Sequence, residues 1–138
     1  VGHLFVAGGV ESISLVEELE GRTESEVKVL LEVNVAGEET KYGILPEAAE
    51  AFLERAAAYR RVVFVGLMTM APYFSDPELA RPYYQKLRRL GQFFQANFPE
   101  GSWLEYSMGM SADYQIAIQE GATQVRVGTA IMGERAYT

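Results

Sequence analysis

Small hydroxyl-bearing residues and a glycine are concentrated in the stretch YSMGMSADYQIAI, residues 106–118. Ser107, Gly109 and Ser111 stand where an apolar strand pattern gives way to a helical one. The first N–H groups of a helix have no partners within the helix, so a junction of this kind can hold an anion. A bound phosphate group is the first chemistry that this stretch suggests.

A second stretch, QVRVGTAIM at 124–132, points the same way. Gly128 and Thr129 interrupt an apolar strand where larger residues would pack better. In barrels, phosphate sites are often built from the loops after the last two strands. Taken alone, Ser111 could be a helix cap and Gly128 a bulge. Their occurrence at the last two strand ends of one chain favours a phosphate site that includes Ser111, Gly128 and Thr129.

Three further side chains are candidates for a site, and each has a structural alternative. Arg126, inside a barrel, would need a carboxylate, a phosphate or a ring nitrogen to offset its lost hydration, whereas on an edge strand it would face solvent. Asn34 either reaches a ligand or forms a turn with its own backbone. Met68 could line a pocket for a flat ring or fill the core. Lys41 lies beside two glutamates in a polar loop and is interpreted as solvated.

Composition excludes several classes of function. The chain of 138 residues has no cysteine, which excludes disulfides, thiolate metal sites and cysteine nucleophiles. Its one histidine, His3, leaves none to spare for a histidine metal cluster or a catalytic triad. A net charge of −7 argues against nucleic acid as a partner. No apolar run approaches the ~20 residues that span a bilayer, and no signal peptide is visible. The expectation is a cytoplasmic protein with no membrane partner.

Strand and helix patterns alternate along the chain, which predicts an α/β fold with a parallel sheet. The alternation does not distinguish a TIM-type barrel from a doubly wound sheet. Chemically rich loops follow the strands, so function is expected at the carboxyl edge. VGHL is interpreted as a strand fragment without its own helix, and VESIS (10–14) as another strand before a short helix. The predicted strands are 27–35, 62–70, 104–108 and 124–132; the predicted helices are 46–59, a long one after Pro77 to Asn97, and 111–122.

Three stretches carry a family resemblance: VLLEVNVAGEETKYGI (29–44), GLMTMAP (66–72) and the long segment 106–135 that contains SMGMS and VRVGTAIMG. They resemble the pyridoxal 5′-phosphate (PLP) homeostasis proteins, which are similar to the barrel domain of alanine racemase; VGHL and VESIS match more faintly. The resemblance implies a TIM-type (β/α)8 barrel, represented mainly by its second half, and PLP as cofactor. The whole of 1–138 would be one domain whose N-terminal strands are missing.

The resemblance also implies roles for the candidate residues. Ser111, the SMGMS backbone, Gly128 and Thr129 would hold the phosphate, and Arg126 would face the pyridine nitrogen. Near the ring or the phosphate would lie Asn34, Met68 and Ser107. The family's Schiff-base lysine stands on the first barrel strand, where no residue of this chain matches it. A segment is also expected to be missing between Leu4 and Phe5.

The expected function is that of a monomeric PLP carrier or regulator without turnover, which passes the cofactor to apo PLP-dependent enzymes. An amino-acid racemase is the alternative. Racemases of this type use a tyrosine from a second β domain, and the chain ends at Thr138 without one. A phosphosugar enzyme is a third interpretation, but it would need convergent acid and base residues, which the sequence does not display.

Overall fold

The computed structural model describes residues 4–38, 42–99 and 101–127, which form five strands and four α-helices. No helix in these ranges is both long enough and apolar enough to cross a bilayer. A 3₁₀ turn, Pro77–Ala80, precedes the third helix. The elements in chain order are β1 Leu4–Val10, α1 Ile13–Arg22, β2 Val27–Glu32, α2 Pro46–Ala56, β3 Val62–Met68, α3 Arg81–Asn97, β4 Glu105–Met110, α4 Tyr114–Gln119 and β5 Gln124–Arg126.

The strands form one parallel sheet in which each strand pairs with its neighbour in the sequence, in the order β1-β2-β3-β4-β5. Crossovers between parallel strands are right-handed, so an unreversed order places every helix on the same face. A doubly wound sheet instead reverses its order at a switch point. The observed order is therefore that of a sector of a (β/α)8 barrel, which answers the question that the alternation left open.

The outward face of the sheet carries the main core. Alternate residues of β2, including Val27, Val29 and Leu31, pack with buried side chains from all four helices, among them Phe52 and Tyr84. Alternation along a strand turns the intervening residues to the opposite face. The helices therefore cover one face of the sheet, and the intervening residues form a second face that is directed inward.

The inward face has its own small apolar cluster of Leu30, Val65 and Met68, with Val63 packed against it. The alternation of β3 changes at Gly66, where the pairing register with β2 shifts by one residue. A side chain at Gly66 would collide with the backbone of Glu105 in β4, since a Cβ there would lie 2.6 Å from the Glu105 carbonyl carbon. Glycine is therefore required for β3 and β4 to pair at this point.

Two predicted boundaries near the start of the chain are wrong. VESIS is not a strand, because β1 ends at Val10 and the Ser12 hydroxyl caps α1 by accepting a hydrogen bond from the Leu15 amide at 3.2 Å. The first strand, which begins at Leu4, is also followed by a helix of its own, α1. The capping chemistry of Ser12 explains the change from strand to helix.

Other boundaries differ by a few residues. The strands predicted at 27–35 and 62–70 end at Glu32 and Met68, and the helix predicted at 46–59 ends at Ala56. The long helix does end at Asn97, as predicted. In the last predicted strand, β5 is described only over Gln124–Arg126, and 128–132 lie outside the described residues.

Candidate functional site

Arg126 extends from β5 across β4 to the carboxyl end of β3. Its Nη1 donates to the Ser107 hydroxyl, and its Nη2 donates to the Thr69 carbonyl oxygen at 2.8 Å. The Met70 sulfur lies 3.3 Å from the same Nη2. The solvent-facing alternative for Arg126 is therefore wrong, because the guanidinium is held over the sheet edge by three residues.

All three of these partners are neutral, which leaves the positive charge of Arg126 uncompensated by direct contact. Burial lowers the pKa of Arg126, and Tyr84, Glu32 and Asp113 act electrostatically in the opposite direction. Within the described ranges no carboxylate forms an ion pair with the guanidinium. Its Nε is buried and has no hydrogen-bond partner there. A buried donor of this kind calls for an acceptor, since leaving it unpaired costs about 1–3 kcal/mol.

The turn between β4 and α4 is organised by Asp113. Its carboxylate accepts a hydrogen bond from the Met110 amide at 2.9 Å, and its own amide donates to the Met110 carbonyl at 3.0 Å. Gly109 has a φ of +107°, a conformation that L side chains rarely adopt. The chain thus turns sharply within the SMGMS stretch, and Asp113 already occupies the Met110 amide, one of the backbone groups predicted to bind an anion.

The predicted helix at 111–122 starts later than expected, and Ser111 does not cap it. The N-cap of α4 is Asp113, without a side-chain capping bond, and the helix has only 6 residues. Ser111 lies in the exposed turn before it. The predicted stop at Gly121 is confirmed by its φ of +105°. Any role of Ser111 toward a ligand therefore depends on the turn and not on a helix end.

Asn34 forms the turn that was the alternative to ligand binding. Its Oδ1 accepts a hydrogen bond from the Gly37 amide at 3.0 Å, and its Nδ2 donates to the Glu38 carbonyl at 2.7 Å. Gly37 has a φ of +74°, as such a turn requires. The buried amide thus fixes the loop after β2.

Of the remaining candidate residues, some lie at the carboxyl edge of the sheet and others lie outside the described residues. Ser107 is buried within β4 beneath Arg126, where it pairs with Met68, and Met68 is buried in the inward apolar cluster at the end of β3. The structure therefore brings Met68, Ser107 and Arg126 to one edge. Gly128, Thr129 and Lys41 lie outside the described residues.

Glu32 is a residue at this edge that sequence reasoning missed. It ends β2 and pairs with Met68 in the register of the sheet. Burial raises its pKa, the negative charge of Glu11, the residue after β1, raises it further, and Arg126 acts in the opposite direction. A charged residue inside the apolar run VLLEVNV was the signal that could have identified it.

Glu32→Gln tests this electrostatic arrangement. A carboxyl whose pKa is raised in the folded state destabilises that state when it is ionised. Above the raised pKa of Glu32 the variant is therefore expected to be more stable than the wild type, and this advantage should shrink as pH falls and vanish below about 4.5. Urea denaturation at a series of pH values measures the difference.

The matched control for this prediction is Glu54→Gln, which removes an exposed carboxyl on α2. Its effect on stability should stay within ~0.5 kcal/mol. If Glu32→Gln is less stable than the wild type at neutral pH, attraction to Arg126 outweighs burial and the Glu11 charge, and the interpretation is wrong.

Residues 5–136 match the sequence profile of the family described as "Alanine racemase, N-terminal domain". The chain belongs to this family. Among its relatives, the pyridoxal phosphate homeostasis protein of Aquifex aeolicus is 48% identical over 109 residues, which cover 79% of this chain and 47% of the relative. The human pyridoxal phosphate homeostasis protein is 35% identical over 147 aligned positions, covering 100% of this chain and 53% of the relative.

Solved structures of family relatives show the same fold. PipY of Synechococcus elongatus without PLP superposes with a TM-score of 0.81 and 30% identity, covering 96% of this chain and 61% of PipY. The structure of PipY with PLP bound superposes with a TM-score of 0.78 and 28% identity, over 96% of this chain and 61% of PipY. The resemblance to PLP homeostasis proteins and the barrel-type fold are therefore confirmed.

The match covers only part of each relative. The chain spans about half the length of the curated relatives, 47% of the Aquifex aeolicus protein and 53% of the human one. The relatives are named as homeostasis proteins and not as enzymes.

Proposed function

We propose that this chain binds PLP at the carboxyl edge of its sheet and serves cofactor homeostasis as a carrier or regulator, with no turnover of its own. The observation that carries the proposal is the buried Nε of Arg126, which lacks a partner among the described residues while the rest of the guanidinium is held by neutral groups. A pyridine nitrogen is an acceptor of the kind that this donor needs. The site therefore fits the cofactor seen in a relative, the PLP-bound PipY.

The proposed binding residues are those that the sequence pointed to. Arg126 would face the ring nitrogen from a position fixed by Ser107, and Met68 would pack near the ring. Asn34 would act by shaping the loop after β2, through its bonds to Gly37 and Glu38. The phosphate would be held by Ser111 and the turn around it, with Gly128 and Thr129.

The electronic effect of Arg126 favours a carrier over a catalyst. Bound PLP supplies an aldehyde and a ring that withdraws electrons most strongly when its nitrogen is protonated. A guanidinium is a donor only and keeps its protons, so a ring nitrogen facing it stays unprotonated. Reduced electron withdrawal supports storage and delivery of the cofactor to apo PLP-dependent enzymes. We propose that the protein does so as a monomer in the cytoplasm.

Calorimetric titration of the 138-residue chain tests the proposal. PLP is expected to bind more tightly than either pyridoxal or inorganic phosphate, because only PLP reaches both the Arg126 and the phosphate positions. Binding by this chain is expected to be weak and non-covalent. Ser111→Ala combined with Thr129→Val should weaken the binding of PLP and of phosphate further.

Calorimetry alone would not distinguish binding at the site from attachment of PLP to surface lysines. Borohydride reduction followed by mass spectrometry detects that attachment and serves as the control. PLP binding no tighter than phosphate binding would contradict the proposal, and an unchanged double variant would contradict the assigned phosphate position. Racemisation of alanine at enzyme-like rates would instead support the racemase alternative.

A further inference from the structure

Thr69 lies directly after β3, at a point where hydrogen bonds from three other strands meet. Its hydroxyl donates to the carbonyl oxygen of Val33, just after β2, at 2.6 Å. Its amide donates to the carbonyl of Ser107 in β4 at 3.1 Å. Its own carbonyl accepts from Nη2 of Arg126 in β5 at 2.8 Å. The hydroxyl, the amide and the carbonyl of Thr69 therefore each connect it to a different strand.

The bonds of Thr69 and Ser107 to Arg126 form a closed arrangement. Arg126 donates one Nη to the Thr69 carbonyl and the other to the Ser107 hydroxyl, while the Thr69 amide is bonded to the Ser107 carbonyl. The two acceptors of the guanidinium are thus held relative to each other by a third hydrogen bond. A displacement of Thr69 would move one acceptor and rotate the guanidinium plane.

The Thr69 hydroxyl prevents such a displacement. Thr69 lies outside β3, so the regular ladder of the strand ends one residue earlier, at Met68. The side chain is completely buried, and within the described residues its hydroxyl is hydrogen-bonded to Val33 alone. That bond fixes the side-chain rotamer and ties the residue to β2, which leaves its peptide carbonyl pointing at Arg126.

We propose that Thr69 is a positioning residue that sets the direction of the Arg126 guanidinium and hence of its free Nε. Thr69 is wholly buried, so it acts on a ligand only through Arg126. The consequence for cofactor affinity rests on the proposed function, whereas the effect on Arg126 itself does not.

Thr69→Val tests the proposal, because valine keeps the shape of threonine and removes the hydroxyl. The first measurement is made without ligand and follows hydrogen exchange at the Arg126 Nε–H by NMR. The Nε–H signal is assigned as the one that disappears in Arg126→Lys. We expect exchange at least tenfold faster in Thr69→Val, and wild-type exchange in Thr69→Ser, which keeps the hydroxyl. Equal exchange in Thr69→Val and the wild type would overturn the proposal.

The second measurement is the affinity for PLP by calorimetry. Thr69→Val is expected to bind about tenfold more weakly, a difference of ~1.4 kcal/mol, and Thr69→Ser like the wild type. The matched control is Thr123→Val. Thr123 also uses its hydroxyl to bond strand residues, donating to Glu105 at 2.8 Å and accepting from the Tyr106 amide at 2.9 Å, but these partners are the first two residues of β4 and do not contact Arg126.

The two measurements separate the positioning role from the proposed function. Thr123→Val is expected to lower stability while leaving the Arg126 exchange rate and the PLP affinity unchanged; a similar loss of affinity in both valine variants would overturn a specific role of Thr69. If the wild type does not bind PLP but Thr69→Val accelerates Nε exchange, the positioning role stands and the proposed function fails.

Discussion

Arg126→Met is expected to lower the affinity for PLP by about a hundredfold, or ~2.7 kcal/mol. Methionine has a similar length but no donor, so it removes both the charge and the Nε–H that would meet the ring nitrogen. Calorimetric titration with PLP at neutral pH measures the loss. Arg126→Lys, which keeps the charge but has no planar set of donors, should bind with intermediate affinity.

The same variant should lose little stability, and this contrast makes the prediction specific. The guanidinium is desolvated, and its acceptors, Ser107 and Thr69, are neutral. Replacing a buried charge with an apolar side chain is often neutral or stabilising. Thermal unfolding of Arg126→Met should therefore stay close to that of the wild type. Undiminished PLP binding by a folded Arg126→Met would refute the site, because every other assigned contact would still be present.

Gly66→Ala is expected to destabilise the fold by about 3 kcal/mol. An added methyl group would overlap the Glu105 carbonyl oxygen, and backbone atoms, unlike the end of a flexible side chain, cannot move aside alone. β3 and β4 would have to separate where Gly66 pairs with Glu105. The midpoint of urea denaturation measures the effect, and a shift in the midpoint at constant slope would show a change in stability alone.

Gly21→Ala is the matched control for Gly66→Ala. Gly21 lies in α1, and a Cβ at that position would meet nothing within 4 Å. Alanine in a helix loses less backbone entropy on folding than glycine, so the control should keep or raise stability by up to about 1 kcal/mol. A Gly66→Ala variant as stable as Gly21→Ala would show that the sheet relaxes around the methyl group.

The sequence was sufficient to predict the alternation of strands and helices, because the apolar runs of β2 and β3 and the amphipathic pattern of α3 are strong local signals. It was not sufficient for the order of the strands, which depends on pairing between distant segments. Ser12 and Ser111 illustrate the limit for boundaries. Ser12 was assigned to a predicted strand, yet its hydroxyl accepts a hydrogen bond from the Leu15 amide and caps α1. Ser111 was a candidate cap, but the N-cap of α4 is Asp113.

The candidate site was predicted in part. Arg126 stood out because a guanidinium between valines needs partners, and the structure shows Ser107 among them. Thr69 could not be recognised in the sequence, because its importance comes from bonds to three other strands that no local pattern encodes. Glu32 could have been recognised from its place in an apolar strand. The roles of Ser111, Gly128 and Thr129 toward a phosphate stay predictions.

The strand order has a consequence for how the chain reaches its native state. Because each strand pairs with the one before it, every new pairing closes a loop that contains a single crossover and at most one long helix. Loop-closure entropy rises with the length that is closed, so pairings between sequence neighbours form first. Such a sheet can add strands one at a time as they leave the ribosome, and Arg126 reaches Thr69 and Ser107 only when the last of the five has docked.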